Sequence, residues 1–216
     1  MDATLQTLTE NKNIVLVGNS VEILRHEYGK YIDSFDTVVR FGRGIPDWGN
    51  FDAIGKRTDI WITGWLRMEN HTFFPKAYKL FNRCRIHLNK EVKKKIPFEY
   101  TNLFTDEELY KVFEQVGAKN GVPEGDRPSA GFLGILFFLN KCKCKSITLI
   151  GFDFFSKRIP VMTGTDYPAS WHMPINSVYK NPHNSKEKET VMRWFEEGRL
   201  NWKILSDLDE GLLDLS

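Results

Sequence analysis

The sequence predicts an α/β fold in a single domain, with a doubly wound and mainly parallel sheet. Short apolar runs alternate with helical stretches, and no linker divides the chain into two halves. Strands of a parallel sheet are covered on both faces, so they are continuous apolar runs in sequence. The chain has 216 residues, of which 41% are hydrophobic, and this is enough for one continuous core.

Six short apolar runs are the predicted strands, and the fourth is the weakest of them: residues 13–18, 37–41, 59–63, 85–88, 146–151 and 202–205. The first and the fifth end in glycine, which is typical of a buried strand that stops at a tight turn. The intervals between several of the runs are long enough for helical crossovers, which parallel neighbours require.

Four segments are the predicted helices: residues 20–31, 106–116, 129–141 and 185–197. Ser20 is available to cap the first helix and Ser185 to cap the last. The third segment is apolar nearly all round, which predicts a buried helix. Residues 42–56 are rich in glycine, proline and aspartate and are a predicted loop, while residues 156–182 are a predicted long loop or lid.

Charge, hydropathy and cysteine content limit the classes of function. The net charge of +2 does not require a nucleic-acid partner, and the Lys90–Lys95 run is predicted to be a solvated helix face. The chain lacks an apolar run of eighteen residues and its first residues lack a signal-peptide pattern, so we expect no transmembrane anchor. Cys84, Cys142 and Cys144 are an odd set without zinc-site spacing, which indicates a reduced, cytoplasmic protein that holds no metal.

Small and polar residues gather where predicted strands end or a predicted helix begins. In an open parallel sheet, ligands bind outside the carboxyl ends of the strands. The candidate nucleotide-binding residues at this edge are Gly18, Asn19, Ser20, Arg40, Ser129, Ala130, Gly131, Gly151, Phe152 and Asp153. The last of these is a single carboxylate, which suits a hydrogen-bond anchor better than a metal ligand.

Two of these segments offer a helix N-terminus to a ligand. Gly18 allows a close backbone approach, while Asn19 and Ser20 offer donors where free N–H groups favour phosphate. Residues 129–131 repeat this arrangement, so one helix start suits a phosphate and the other a ribose or base. The plainer alternative is that both serines only cap their helices. The dinucleotide pattern GxGxxG and a phosphate loop that ends in Gly-Lys-Ser/Thr are absent.

A histidine and several tyrosines in or next to the predicted lid are the candidate catalytic groups. A neutral imidazole at His183 can accept the proton of an attacking hydroxyl, and its place before a helix N-terminus favours the neutral form. Tyr167 and Tyr179 can donate to a departing phosphate, and His172 is a further substrate-binding candidate. The alternatives are a loop histidine without a role and aromatic residues that pack the lid down. Residues 207–209 have the Asp-x-Asp pattern of a metal site, but their place after the last strand is typical of an acidic tail.

Several motifs together resemble the sialyltransferases of glycosyltransferase family 29. Five short segments are similar to the large and small motifs of that family, in the same order: Val-Gly-Asn-Ser at 17–20, Val-Arg-Phe at 39–41, Gly-Lys-Arg-Thr at 55–58, Pro-Ser-Ala-Gly-Phe-Leu-Gly-Ile-Leu at 128–136 and Leu-Ile-Gly-Phe at 149–152. His183, followed by Glu187 or Glu189, resembles the very small motif. It is also similar to a His-Ser-Lys segment of the bacterial sialyltransferases of family 42.

The resemblance spans about residues 13–197 and implies a fold, a reaction and a donor class. The implied fold is a Rossmann-like variant of the glycosyltransferase A fold, with residues 1–216 as one catalytic domain and residues 156–182 as its lid or acceptor loop. The implied reaction is an inverting transfer from a sugar activated with cytidine monophosphate (CMP), without a divalent metal or other cofactor.

The same resemblance implies a role for each candidate residue. It implies that Asn19 and Ser20 bind the phosphate or ribose of the nucleotide, and that Ser129 and Gly131 bind the CMP. His183 is the implied base, and either of the two lid tyrosines assists the leaving phosphate.

Donor, acceptor and catalytic competence stay open at this point. The donor sugar is sialic acid, the eight-carbon acid Kdo or another CMP-activated sugar, and Gly42 stands where family 29 carries asparagine. The acceptor is a surface glycan or a hydroxylated base in DNA. A non-catalytic nucleotide-binding module of the same fold is the alternative from another class. A methyltransferase would require an acid where this chain has Arg40.

Overall fold

The computed structural model describes residues 2–42, 51–63, 76–81, 101–115, 128–152 and 186–203. Within these ranges one sheet contains seven strands, and all six pairings between neighbours are parallel. The strands are β1 (Asn13–Val17), β2 (Thr37–Phe41), β3 (Ile60–Thr63), β4 (Tyr78–Phe81), β5 (Thr101–Asn102), β6 (Ser146–Ile150) and β7 (Asn201–Lys203). The predicted α/β class with a parallel sheet is confirmed.

The strand order is β5-β4-β3-β2-β1-β6-β7. The chain adds strands from β1 outward to β5 and then returns to pair β6 with the free side of β1. Val15 of β1 therefore lies opposite Val38 on one side and Thr148 on the other. The direction of winding reverses between β1 and β6, and in open α/β sheets ligands bind at such a reversal, outside the carboxyl ends of the strands.

The helices within the described ranges are α1 (Ala3–Thr9), a 3-10 helix (Val21–Arg25), α2 (Gly29–Asp33), α3 (Phe51–Ile54), α4 (Asp106–Gln115), α5 (Ala130–Lys141) and α6 (Lys186–Glu196). The last three match predicted helices to within one residue at each end. Seven consecutive residues of α5, 132–138, are buried, as its apolar sequence predicts. In the part of the chain that is described, no helix has the length and apolar character needed to cross a membrane.

The prediction of one continuous helix over residues 20–31 is wrong. The chain forms the short 3-10 helix and then α2. The Ser20 N–H donates to the carbonyl oxygen of Gly151 at 3.0 Å, so the chain leaving β1 stays on the end of β6 instead of entering an α-helix. Gly29 lies so close to α3 that a Cβ there would be 2.0 Å from the carbonyl oxygen of Phe51. Ser20 is therefore not the N-cap of an α-helix.

Four further elements were not predicted. α1 is short and half polar, and it is held at its start by Asp2, whose Oδ1 accepts from the Leu5 N–H at 3.0 Å. α3 forms within residues 42–56, which were predicted to be loop. β4 and β5 contain only four and two residues. The weak strand predicted over residues 85–88 lies outside the described residues.

The core consists of two clusters, one on each face of the sheet. The larger cluster includes Leu16 and Val39 together with the apolar faces of α4, α5 and α6. The smaller cluster includes Val15 and Val38 and lies under the 3-10 helix, α2 and α3. Neighbouring residues of a strand point to opposite faces, so β1 and β2 supply both clusters.

Candidate functional site

Two glycines lie in backbone contact at the reversal point of the sheet. The Gly18 N–H donates to the carbonyl oxygen of Ile150 at 2.8 Å. A Cβ on Gly18 would lie 2.2 Å from the carbonyl oxygen of Gly151, a distance that real Cβ atoms do not tolerate. Gly151 itself has a φ of +72°, which favours glycine. Both residues were predicted to bind nucleotide, but close packing between the ends of β1 and β6 is sufficient to require glycine at both positions.

The Phe152 ring lies between the two predicted helix starts. A Cβ on Gly18 would be 3.0 Å from Phe152 Cδ2, and a Cβ on Gly131 would be 2.9 Å from Phe152 Cε1. The same ring makes an edge-to-face contact with Phe41, with 5.6 Å between ring centroids. The structure therefore brings the two glycine-containing segments together at one edge of the sheet, as predicted, and one phenyl ring separates them.

Ser129 caps α5 and is bound by a buried carboxylate. Its Oγ accepts from the Phe132 N–H at 3.0 Å, which is the capping role that the plainer alternative gave it. Its own N–H donates to Glu187 Oε1 at 2.7 Å, and its hydroxyl donates to Glu187 Oε2 at 2.8 Å. Ser129 was predicted to hold CMP, yet both of its donors are taken by Glu187. The N–H groups of Ala130 and Gly131 have no partner within α5, because the first turn of a helix lacks preceding carbonyls.

Glu187 is a buried acid, with only 1% of its surface exposed. Burial raises the pKa of the Glu187 carboxyl to about 7, and the two hydrogen bonds from Ser129 only partly oppose this rise. The first turn of α6 therefore contains a carboxyl group, that of Glu187, whose charge changes near neutral pH. The contact joins the start of α5 to the start of α6.

Arg40 lies on the face of the sheet that is covered by α2 and α3, and only 1% of it is exposed. Its Nη2 donates to the carbonyl oxygen of Ile54 at 2.6 Å. Its Nε donates to the carbonyl oxygen of Arg57 at 2.9 Å and to Thr58 Oγ1 at 3.0 Å. Burial lowers the pKa of the guanidinium to about 10, so Arg40 stays charged at neutral pH. Through these contacts Arg40 holds residues 54–58 in place. They do not support its predicted role as a nucleotide-binding residue.

Asn19 is held at the carboxyl edge by its amide. Its Nδ2 donates to the carbonyl oxygen of Phe41 at 3.0 Å, which ties the end of β1 to the end of β2. Its Oδ1 is buried and has no hydrogen-bond partner among the described residues. Buried acceptors without a donor are uncommon in proteins, so this atom marks the edge as incomplete within those residues.

The remaining candidates lie outside the described residues. They are the anchor Asp153, the substrate-binding candidate His172, the two lid tyrosines Tyr167 and Tyr179, and the candidate base His183. Within the described ranges there is no group of three or more His, Cys, Asp or Glu side chains that could hold a metal ion.

Glu187 is the site residue that sequence reasoning did not single out. It was named only as one of two glutamates that could complete a motif with His183. An acid in the first turn of a helix is ordinarily solvated, and Glu187 lies on a helix with a strongly polar face. The start of this helix pairs with the capped start of α5, and only the tertiary structure shows this pairing. The sequence alone therefore carried no direct signal for the role of Glu187.

No protein-family model matches the chain, and no curated protein matches it in sequence. Its fold is nevertheless that of the sialyltransferases, since solved structures of this class align with nearly the whole chain. One is a mammalian sialyltransferase in complex with Gal-beta-1-3GalNAc-ortho-nitrophenol, with a TM-score of 0.56 and 18% identity over 94% of this chain and 73% of that one. Another is the monofunctional alpha-2,3-sialyltransferase Cst-I from Campylobacter jejuni, with a TM-score of 0.60 and 13% identity over 91% of this chain and 76% of that one. The fold that the motif resemblance implies is therefore confirmed.

Proposed function

We propose that the chain is a metal-independent, inverting glycosyltransferase that moves a sugar from a CMP-activated donor to a hydroxyl of a glycan. The fold shared with sialyltransferases supports this class of reaction, and the names of those structures favour sialic acid over Kdo as the donor sugar. The motif resemblance supports the same donor nucleotide. In the reaction the acceptor oxygen attacks the anomeric carbon while the bond from that carbon to the CMP phosphate breaks.

The contact between Ser129 and Glu187 is the observation that supports the proposal most strongly. The hydrogen bonds of 2.7 and 2.8 Å fix the start of α6 against the start of α5. His183 precedes Glu187 by four residues, so the two Cα atoms can be at most about 15 Å apart. This connectivity limits how far the candidate base can lie from Glu187, which supports the proposal.

The proposed roles combine groups at the described edge with residues that the motif resemblance supplies. The N–H groups of Ala130 and Gly131 at the start of a twelve-residue helix suit the CMP phosphate. The Oδ1 of Asn19, which has no partner among the described residues, suits a ribose hydroxyl or a cytosine amine. His183 accepts the proton of the acceptor hydroxyl. Tyr167 or Tyr179 donates to the departing phosphate, which is the task that a metal has in other transferases.

The position of one lysine cluster supports a glycan acceptor rather than DNA. A polyanionic acceptor would depend on two lysine clusters, of which Lys90–Lys95 lies outside the described residues. The other, residues 141, 143 and 145, lies just before β6, at the opposite edge of the sheet. Lys141 is also paired with Glu108 at 2.7 Å. These lysines are therefore poorly placed to guide DNA to the proposed site.

Binding and turnover test the proposal separately. We expect CMP to raise the melting temperature of the chain, and UDP, GDP and S-adenosylmethionine to leave it unchanged, because a ligand that binds only the folded state stabilises it. We expect His183→Ala to keep the CMP response and to release CMP from CMP-sialic acid about 100-fold to 10,000-fold more slowly in the presence of an acceptor.

The outcomes separate the parts of the proposal. If CMP does not stabilise the chain at any concentration, the assignment of CMP as the bound nucleotide is wrong. Stabilisation by CMP without any CMP release from CMP-sugars would favour the non-catalytic binding module. An unchanged rate in His183→Ala, with turnover present in the wild type, would remove the assignment of the base.

A further inference from the structure

A buried carboxyl group of α6 lies against the start of α5. Glu187 Oε1 accepts from the Ser129 N–H at 2.7 Å, and Glu187 Oε2 accepts from the Ser129 hydroxyl at 2.8 Å. Ser129 is the N-cap of α5 and directly precedes Ala130 and Gly131. The carboxyl of Glu187 therefore shares one helix start with the N–H groups that the proposed function assigns to the CMP phosphate.

The packing of α5 on α6 around this contact is apolar. The Phe132 ring of α5 stacks on the Trp194 ring of α6, with 5.6 Å between ring centroids. Val191, one turn beyond Glu187 on α6, is fully buried, and Glu187 itself is only 1% exposed. Buried charges are screened much less than charges at the surface. A negative charge on Glu187 therefore acts on the start of α5 with little weakening by solvent.

Within the described residues, no opposite charge compensates a charge on Glu187. Burial raises the pKa of its carboxyl to about 7, the two hydrogen bonds that it accepts oppose the rise, and no charged group of those residues contributes. Lys186, Lys188 and Glu189 flank it on α6, and all three are exposed. The first turn of α5 contains no ionisable side chain. Near neutral pH both the neutral and the ionised form of Glu187 are therefore present.

We propose that Glu187 controls the affinity of the site for its sugar donor: the neutral carboxyl allows the CMP phosphate to bind at the start of α5, and the ionised carboxylate opposes it. This inference rests on the proposed function. Two anions at one helix start repel each other and compete for the same field of the helix. Glu187 is a positioning residue, because it bonds Ser129 and acts on the donor through the helix start.

The sign and size of the effect follow from linkage. If only the neutral form of Glu187 binds donor, the apparent affinity is proportional to the fraction of neutral carboxyl. That fraction is about nine tenths at pH 6 and about one tenth at pH 8 for a group that titrates at pH 7. Donor affinity should therefore fall about tenfold from pH 6 to pH 8. By the same linkage, donor binding should draw a proton onto Glu187.

The test measures the dissociation constant of CMP-sialic acid at pH 6 and pH 8, by calorimetry without an acceptor. The phosphodiester of this donor keeps its charge over the range, whereas a phosphomonoester such as free CMP titrates at about pH 6. We expect the wild type to bind about tenfold more weakly at pH 8. Glu187→Gln stays neutral, so it should lose this change and bind about tenfold more tightly than the wild type at pH 8. The matched control is Glu189→Gln, on the exposed side of the same turn, which should follow the wild type.

Proton uptake gives a second measurement, which decides the question if Glu187→Gln does not fold. At pH 8, in buffers of different ionisation enthalpy, donor binding to the wild type should take up close to one proton. His183→Ala should take up the same proton, because the candidate base is then absent and Glu187 is retained.

The outcomes separate this inference from the proposed function. Equal donor affinity at pH 6 and pH 8 in the wild type would overturn the inference and leave the proposed function intact. A tenfold change that Glu187→Gln retains would also overturn it, as would donor binding without proton uptake. Absence of donor binding at every pH would overturn the proposed function and the inference together.

Discussion

The two serine-containing segments that were predicted to hold the two ends of a nucleotide differ in the structure. Ser20 is followed by a five-residue 3-10 helix, and its N–H is bonded to the carbonyl oxygen of Gly151. Ser129 caps the twelve-residue α5 and donates twice to Glu187. Both segments place a serine beside a glycine that a neighbouring group approaches closely. Only one of them begins a long helix.

The difference shows that a small polar residue before a helix does not define an anion site by itself. Peptide dipoles add along a regular helix, so α5 provides a favourable field for an anion and a single 3-10 turn provides little. The start of α5 already binds the carboxyl group of Glu187. A CMP phosphate at this position would have to use the adjacent N–H groups of Ala130 and Gly131.

The largest expected effect is at Gly18, on the side without a long helix. Gly18→Ala places a Cβ 2.2 Å from the carbonyl oxygen of Gly151, and two central strands would have to separate. We expect the free energy of unfolding to fall by about 3 kcal/mol or more, measured by urea denaturation. Gly198→Ala is the control for a glycine replacement without a steric clash, since Gly198 has a φ of +70° and nothing lies within 4 Å of a Cβ there. It should cost about 1 to 2 kcal/mol. Equal losses in the two variants would contradict the packing role of Gly18.

An intermediate effect is expected at Glu187, on the side with the long helix. Glu187→Ala leaves the buried N–H and hydroxyl of Ser129 without their acceptors. We expect a loss of about 2 kcal/mol in the free energy of unfolding at pH 6, measured by urea denaturation. Glu189→Ala is the control, because Glu189 is exposed on the same turn of α6, and it should change stability by less than about 0.5 kcal/mol. A loss that is the same for both glutamates would show that the contact with Ser129 does not stabilise the fold.

The smallest expected effect is the pH dependence that Glu187 causes. Its pKa is about 7 in the folded chain and 4.5 in the unfolded chain, so between these values the folded state binds more protons. The contribution of Glu187 to stability therefore decreases as pH rises, by about 1 kcal/mol from pH 6 to pH 7. Glu187→Gln stays neutral and keeps an amide that can bond Ser129, so its unfolding free energy should lack this decrease. Parallel pH profiles for the wild type and Glu187→Gln would rule out titration of Glu187 in this range.

The sequence was sufficient for elements whose own residues determine them. β1, β2, β3 and β6 are continuous apolar runs, and α5 is apolar on every side, so burial on both faces was evident from composition. The sequence was insufficient for elements whose conformation depends on a residue that is distant along the chain. The predicted helix over residues 20–31 is interrupted because Gly29 packs on the backbone of Phe51, which is far along the chain.

The candidate site was predictable in position but not in detail. Glycine and serine at strand ends and helix starts predicted a candidate site at the carboxyl edge of the sheet, where the structure brings these segments together. The partners of Ser129 and Arg40 were not predictable, because each is buried against a segment that is distant in sequence: Glu187 in one case and residues 54–58 in the other. A charged side chain in a sequence gives no sign of which backbone carbonyls it will meet.

The Phe152 ring fills the space between Gly18 and Gly131, so these three positions depend on one another for room. A Cβ on either glycine would lie 3.0 Å or less from a carbon of the ring. A smaller side chain at position 152 would leave space for alanine at Gly131, and a larger one would press on both glycines. A change at one of these positions therefore has to be matched at another, which restricts how the sequence of this edge can vary.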